Sequence, residues 1–397
     1  MHQMFYAQQY CDSIEVQKNV FLRYDLDCMI NNIIHTIDDI PLKEYRYETK
    51  FLSEVPLDNI FFVADIGGTN SNFGICALFN KKLFLCNSFH APSQKIADYT
   101  RFIQLLLEHI ATSHHREVRY GCIGAAGALM QERTWVKPTN LSTTIDTQAI
   151  QHATNLQELF LINDFEAVGL GIPYLEPDAI VTIRKGMPQP KSQQAAIGAG
   201  TGLGKVALLW DHDKHMYIPL SSEGGHADCS AQTETETSLF KFIQDEQKTN
   251  CPVSWETVLS GNGLSRIYRF LGTHKNYQST TIANEIQETG FKPDRISHYA
   301  QQDQQCHDTF KFYKTFYARC AKNFALDALS LNGMYIAGGI AAHNINLFKE
   351  PEFYEEFTRC GKQKELLSNM PLYVIVDYNI SLYGAAAYIL FQRGLHT

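Results

Sequence analysis

Asn163 and Asp164 stand where an apolar run ending in Leu161-Ile162 gives way to a new apolar pattern at Phe165, Ala167, Val168 and Leu170. The pattern reads as a buried strand running into a helix, with an amide and a carboxylate at the junction. Such a pair either caps the helix or faces a cleft at the carboxyl end of the strand. Further along come Glu223-Gly224-Gly225-His226 and then Glu256, just before Val258-Leu259-Ser260-Gly261. Taken singly, Glu256 reads as a solvated helix residue and His226 as a surface or core histidine. Taken with Asn163 and Asp164, they present carboxylates, an amide and an imidazole suited to a polyol, which offers only hydroxyls for recognition. No second His or Cys stands at ligand spacing from His226 to make a zinc site.

A second set of residues suits phosphate. Asp65-Ile66-Gly67-Gly68-Thr69-Asn70 ends an apolar strand in a turn where glycine permits close backbone approach. Successive amides there form an anion-binding concavity, and Asp65 can hold a metal ion through water. The same Gly-Gly pair also suits a plain hairpin. Gly198-Ala199-Gly200-Thr201-Gly202-Leu203-Gly204 is a second such turn. It lacks the G-K-[ST] ending of a P-loop, and a strand from Lys205 to Trp210 follows it where a dinucleotide fingerprint needs a helix. Gly338-Gly339 follows a third apolar strand. Three glycine turns after three strands suggest a nucleotide held from both sides of a cleft.

The elements around these residues alternate in type. Residues 60–79 read as strand, turn and strand, 82–89 as a strand, 99–110 as a helix and 119–126 as a strand. Asp146 is placed to cap the helix before LFLINDF. Residues 195–210 echo 60–79 in type, 238–270 and 310–331 are helical, 334–337 and 373–376 are strands, and 382–390 is a last helix. Strands followed by helices argue for an α/β chain. Residues 1–58 stand apart, and the spacing of Leu26, Met29, Ile30, Ile33 and Ile34 predicts a helical arm there.

Composition narrows the partners. The 397 residues are 45% hydrophobic and 19% charged, as in ordinary soluble domains, and the length allows two or three of them. A net charge of −8, with a pI near 6.0, argues against a nucleic-acid surface, which needs clustered Lys and Arg. The ten cysteines form no C-x-x-C and fit a reducing compartment. The stretch MHQMFYAQQYCDSIE lacks the features of a signal peptide, and no apolar run reaches the roughly 20 residues of a membrane span. A soluble, cytoplasmic protein is the expectation.

In order along the chain, DIGGTN, LINDFEAV, GAGTGLG, EGGH, ETVLSGNGL and IAGGI resemble the motifs of the bacterial glucokinase family, within the hexokinase/actin-like ATPase superfamily. The resemblance runs from about residue 60 to the C-terminus. It implies an α/β fold of two actin-like (ribonuclease H-like) domains with an interdomain cleft: 59–173 plus 378–397 as the smaller, 174–377 as the larger, and 1–58 as an extension. It implies transfer of the γ-phosphate of ATP to the 6-hydroxyl of glucose, with Asp164 as general base. Asn163, Glu223, His226 and Glu256 match the family's sugar-binding groups, and Asn140 falls near the same site. Asp65, Gly67, Gly68, Thr69 and Asn70 match the first phosphate turn, Gly200, Thr201 and Gly202 the second, and Gly338 and Gly339 the adenosine side. Mg²⁺ held through water by Asp65, and a homodimer, are further implications.

Three positions depart from the family pattern. Asn72 stands where arginine is common, Ala125-Ala126-Gly127-Ala128 replaces a proline-bearing turn, and Glu166 replaces a small or hydroxyl residue. The same fold also serves kinases of other hexoses and non-catalytic sugar-sensing regulators. The intact Asp164 and the acidic charge weigh against a regulator. A filament protein of this fold would have no use for the sugar-directed set.

Overall fold

A computed structural model describes residues 29–47 and 50–395. Its first elements are strands β1 (Met29–Ile37) and β2 (Ile40–Tyr47), which pair antiparallel. This corrects the helical expectation for the described part of the N-terminal segment; residues 1–28 lie outside the described residues. The turn decides the matter. Asp38 and Asp39 take φ of 52° and 61°, the left-handed pair that a two-residue hairpin requires and that Asp tolerates. Across that turn the burial alternates with a period of two, Ile40 and Leu42 inside and Pro41 and Lys43 outside, which only a strand can match.

The hairpin is the outer part of a seven-stranded sheet. Its other strands are β3 (Ile60–Ile66), β4 (Asn70–Phe79), β5 (Lys82–Pro92), β6 (Tyr120–Ala125) and β9 (Glu158–Asn163), in the order β1-β2-β5-β4-β3-β6-β9. Two-residue strands β7 (Trp135–Val136) and β8 (Ile145–Asp146) form a separate pair. Helix α1 (Tyr99–His114) joins β5 to β6, and α2 (Thr147–Ala153) precedes β9. Asp98 and Asp146 cap these helices through their side-chain oxygens, the latter as the sequence predicts. Phe62, Phe73 and Phe102 stack through the core between sheet and α1, with ring centroids 6.3 Å and 5.4 Å apart. Each is worth about 1.5–3 kcal/mol of burial.

A second sheet has the order β10-β15-β14-β11-β12-β13, made from β10 (Ile180–Arg184), β11 (Gln194–Ala199), β12 (Leu203–Asp211), β13 (Met216–Ser222), β14 (Met334–Ala337) and β15 (Leu372–Ile375). Setting aside β1, β2 and β10, both sheets have one plan. Three antiparallel strands run in sequence, and the first of them pairs parallel with the fourth: β3 with β6, β11 with β14. The echo seen between residues 60–79 and 195–210 is therefore structural. This is the actin-like ATPase fold.

The chain forms two compact units, one of residues up to Ile162 with those from Ala385 onward, the other Asn163–Gly384. The sequence places the passages between them later and earlier, near 173 and 377. The difference comes from helix α3 (Asp164–Gly171), which packs on the second sheet. The Phe165 ring lies over Gly198 and Gly204, where an added Cβ would come within 2.8 Å and 1.8 Å of it. The last helix, Ile380–Gln392, meets α3 equally closely, since a Cβ on Gly384 would sit 1.7 Å from the Ala167 carbonyl oxygen. Three glycines thus serve the seating of one helix.

His90 on β5 gives the first unit a pH dependence. Its Nδ1 bonds to Asn72 Oδ1 at 2.6 Å, and burial, aided by Lys43, pushes its pKa down to about 4. The unfolded chain protonates this ring near 6.5. The folded state therefore binds fewer protons in between, and the contribution of His90 is present above about pH 6.5 and lost as pH falls toward about 4. Urea midpoints measured from pH 7 to pH 4 should fall less steeply in His90→Gln than in the parent; parallel slopes would show that His90 is not the group responsible.

Candidate active site

At the predicted junction, β9 ends at Asn163 and α3 begins at Asp164. Asn163 is buried and is the N-cap, its Oδ1 accepting from the Phe165 amide at 2.9 Å. Glu166 closes a capping box: its Oε2 accepts from the Asn163 amide at 3.0 Å. The other oxygen, Oε1, accepts from the Ser221 hydroxyl on β13. Glu166 is itself buried, so its charge is matched by donors on two elements. Asp164 also accepts from the Phe165 amide, at 2.9 Å, and remains partly exposed. A carboxylate held at a helix N-terminus, yet open at one side, can take a proton from a bound hydroxyl.

Ser221 leads directly into the EGGH loop, where Glu223, His226 and Glu256 come together. His226 Nε2 lies 3.8 Å from Glu223 Oε2, and its Nδ1 lies 3.9 Å from Glu256 Oε1. All three keep exposed edges, with room to accept from and donate to hydroxyls. The cluster is anchored on one residue. Leu203 donates its amide to Glu256 Oε2 at 2.9 Å, and a Cβ on Gly225 would fall 2.0 Å from the Leu203 carbonyl oxygen. The glycines of EGGH are there so that the loop can lie against β12.

Leu203 follows the second phosphate turn. Gly200 donates its amide to the Gly202 carbonyl at 2.9 Å, closing the turn, and its own carbonyl accepts from Gly261 at 2.9 Å. A Cβ at Gly200 would meet nothing within 4 Å, so this backbone is open to a ligand. Gly202 is close to Glu256, whose Oε2 lies 2.6 Å from the position of an added Cβ. The glycines of the GAGTGLG motif therefore divide: Gly198 and Gly204 admit Phe165, while Gly200 and Gly202 form the turn. The third turn joins it, because Gly338 has φ of 90° and a Cβ there would lie 2.6 Å from the Ala199 carbonyl oxygen. Gly339 starts a short helix beside Tyr378.

In the first unit, Asp65 is the next-to-last residue of β3, between Asn72 on β4 and Gly124 on β6. The Gly67 amide bonds to the Asn70 carbonyl at 3.1 Å, and Ser93 holds the turn from below: its amide donates to Thr69 O and its hydroxyl to Gly67 O. Asn140 lies so close that a Cβ on Gly68 would be 2.7 Å from its own Cβ. Gln94 secures this pairing by donating to both Gly68 O (2.9 Å) and Asn140 O (3.0 Å). Asn72 turns to His90, away from any role as a free polar group.

Within each unit, then, the predicted residues gather: Asp65, Gly67, Gly68, Thr69, Asn70 and Asn140 in the first; Asn163 and Asp164, the Glu223–His226–Glu256 cluster and the two glycine turns in the second. Gln94, Ser93 and Ser221 were not foreseen, and nothing in their spacing marks them. From sequence Glu166 stands only as a departure from the family pattern, although Asn163-x-x-Glu166 carries the capping-box spacing that could have found its role.

A sequence model of the family described as Glucokinase matches residues 62–392. The chain is 30% identical over 340 residues to the glucokinase of Nostoc punctiforme, which covers 82% of this chain and 98% of that one. Among solved structures it resembles a glucokinase from an Antarctic psychrotroph (TM-score 0.67, 26% identity, 83% of this chain and 98% of that one). It shares its fold with the glucokinase of Balamuthia mandrillaris, determined in complex with glucose (TM-score 0.68, 20% identity, 83% and 93%).

Because Glu166 fixes both ends of the junction, Glu166→Ala should leave a folded chain, destabilised by about 1–2 kcal/mol through the lost cap. A loosened Asp164 should lower kcat by roughly 10–100-fold with a smaller change in KM. Steady-state kinetics beside a urea titration would check this; unchanged kcat would reduce Glu166 to a structural cap.

Proposed function

The chain belongs to the glucokinase family, and from that premise we propose which of its residues move the γ-phosphoryl group of ATP onto the 6-hydroxyl of glucose. Asp164 is the general base. The support is its position: a partly exposed carboxylate held by the Phe165 amide on a helix end that Asn163 and Glu166 cap. As the 6-oxygen attacks the γ-phosphorus, its proton passes to the Asp164 carboxylate, and ADP leaves with the bonding pair. Phosphoryl transfer requires positioning and charge stabilisation more than covalent chemistry, so a fixed base and rigid turns are what the protein must supply.

Glu223, His226 and Glu256, with Asn163, take the remaining sugar hydroxyls. A hydroxyl bonded to a carboxylate contributes about 1.5–3 kcal/mol, and a sugar lacking it leaves that carboxylate unpaired. Asn140 is a further sugar-side residue. The Gly67, Gly68, Thr69 and Asn70 turn takes the phosphates, and so does the turn of Gly200, Thr201 and Gly202. Gly338 and Gly339 lie along the adenosine. One carboxylate beside a phosphate-directed turn suits Mg²⁺, which keeps most of its waters and takes phosphate oxygens. Asp65, partly exposed at the end of β3, would hold it through water. When bound, the ion would neutralise charge on the β- and γ-phosphates.

The sugar-sensing regulator is not favoured, since such a protein needs no base and this chain's named relatives are kinases. No described helix is long and apolar enough to cross a membrane. A cytoplasmic place in glucose breakdown, and a homodimer, complete the reading. The free buried thiols suit a reducing compartment.

Asp164→Asn should lose about 10²–10⁴-fold in kcat while still binding glucose in a calorimetric titration. Glu256→Gln should instead act mainly on KM for glucose. Near-normal turnover in Asp164→Asn would mean that another group takes the proton.

A further inference from the structure

The β1–β2 hairpin lies ahead of the family-matched residues and carries a cluster that phosphoryl transfer does not use. Glu44 on β2 is fully buried. Its Oε1 accepts from Arg46 Nε at 2.8 Å and Asn87 Nδ2 at 2.9 Å, and its Oε2 accepts from Arg46 Nη2 at 3.0 Å. His35 on β1 places Nε2 2.8 Å from the same Oε2. His109, from α1, completes the group, its ring centroid 4.6 Å from that of His35. One nitrogen of each imidazole and one Glu44 oxygen all lie within 4.8 Å of one another.

We infer that His35, Glu44 and His109 form a binding site for a divalent transition cation of the zinc class, joining β1, β2 and α1. Two imidazoles and one carboxylate are a three-ligand zinc set that leaves a fourth position for water. Ligand atoms around tetrahedral zinc stand about 3.3 Å apart at bonds of about 2.0–2.1 Å, so side-chain turns of an ångström or so close the site. His35 exchanges its bond to Oε2 for the ion. Arg46, bonded to both oxygens, and Asn87, bonded to Oε1, already orient the carboxylate, which is the support that ligating carboxylates require. The donor set also selects. Mg²⁺ and Ca²⁺ want several oxygens, whereas here a single carboxylate has its charge offset by Arg46; imidazole suits Zn²⁺, Co²⁺, Ni²⁺ or Cu²⁺. The site is therefore separate in chemistry from a nucleotide's magnesium. It fastens an added hairpin to the helix that covers its sheet.

The test uses the tag-free full chain, stripped with chelator and titrated with Co²⁺ alone. One equivalent should bind with visible d–d absorption and no thiolate-to-cobalt charge transfer, which excludes the cysteines, and Zn²⁺ should displace it. Zn²⁺ should also raise the melting temperature. His35→Gln and His109→Gln should each weaken binding by at least about 100-fold, and Asn87→Ala by about 10–100-fold, with glucose phosphorylation unchanged in all three. No bound equivalent in the parent chain, or undiminished binding in both histidine variants, would overturn the site and leave a plain His35–Glu44 ion pair. Far-UV spectra of the variants separate lost ligands from lost folding.

Discussion

A helix cannot start inside a protein without partners for its first amides, and this molecule answers that need with the residues that flank the proposed base. Asn163 and Glu166 satisfy the donors at the head of α3 reciprocally. Asp164 sits between them as the first helical residue, with little freedom left to its backbone. Glu166 then reaches Ser221, two residues before Glu223. One buried carboxylate thus ties the proposed base to the loop of Glu223 and His226. A buried charge is costly unless every lone pair finds a donor, so the arrangement is all or nothing. That is why Glu166, a departure from the family pattern, is better understood as a brace than as a neutral replacement.

The glycines follow from the same constraint. Gly198 and Gly204 let Phe165 lie flat on the second sheet, and Gly384 lets the last helix come against α3. Gly225 lets the EGGH loop touch Leu203, whose amide holds Glu256. Within the GAGTGLG motif, Gly200 is left open. A motif that reads as one phosphate loop is in fact two functions interleaved, close packing at its ends and an exposed turn at its centre. The first unit secures its turn differently, with Ser93 and Gln94 bonding the turn carbonyls.

Much of this was legible in the sequence. The strand–turn–strand units, the capped helix at Asp146 and the Asn163-Asp164 junction all follow from local pattern, because apolar period and cap chemistry act over a few residues. What was hidden depends on contacts across long separations. Gln94 reaches Asn140 over 46 positions and Ser221 reaches Glu166 over 55, and no spacing rule links them. The N-terminal segment misled for another reason. Met29, Ile30, Ile33 and Ile34 fit a helical spacing, but the Asp38-Asp39 turn and the edge of β5 offer pairing that a short isolated helix cannot equal. The candidate metal cluster escaped too, since His35, Glu44 and His109 meet only once the hairpin has joined the sheet.

The claim that Glu166 acts through Asp164 is tested most directly by a double-mutant cycle on kcat with glucose and ATP, using Glu166→Ala, Asp164→Asn and the two combined. If the brace serves the base, Glu166→Ala will slow the parent enzyme yet add almost nothing once Asp164 has lost its carboxylate. If the two losses multiply instead, Glu166 supports catalysis by some other route and the junction does not hold the base.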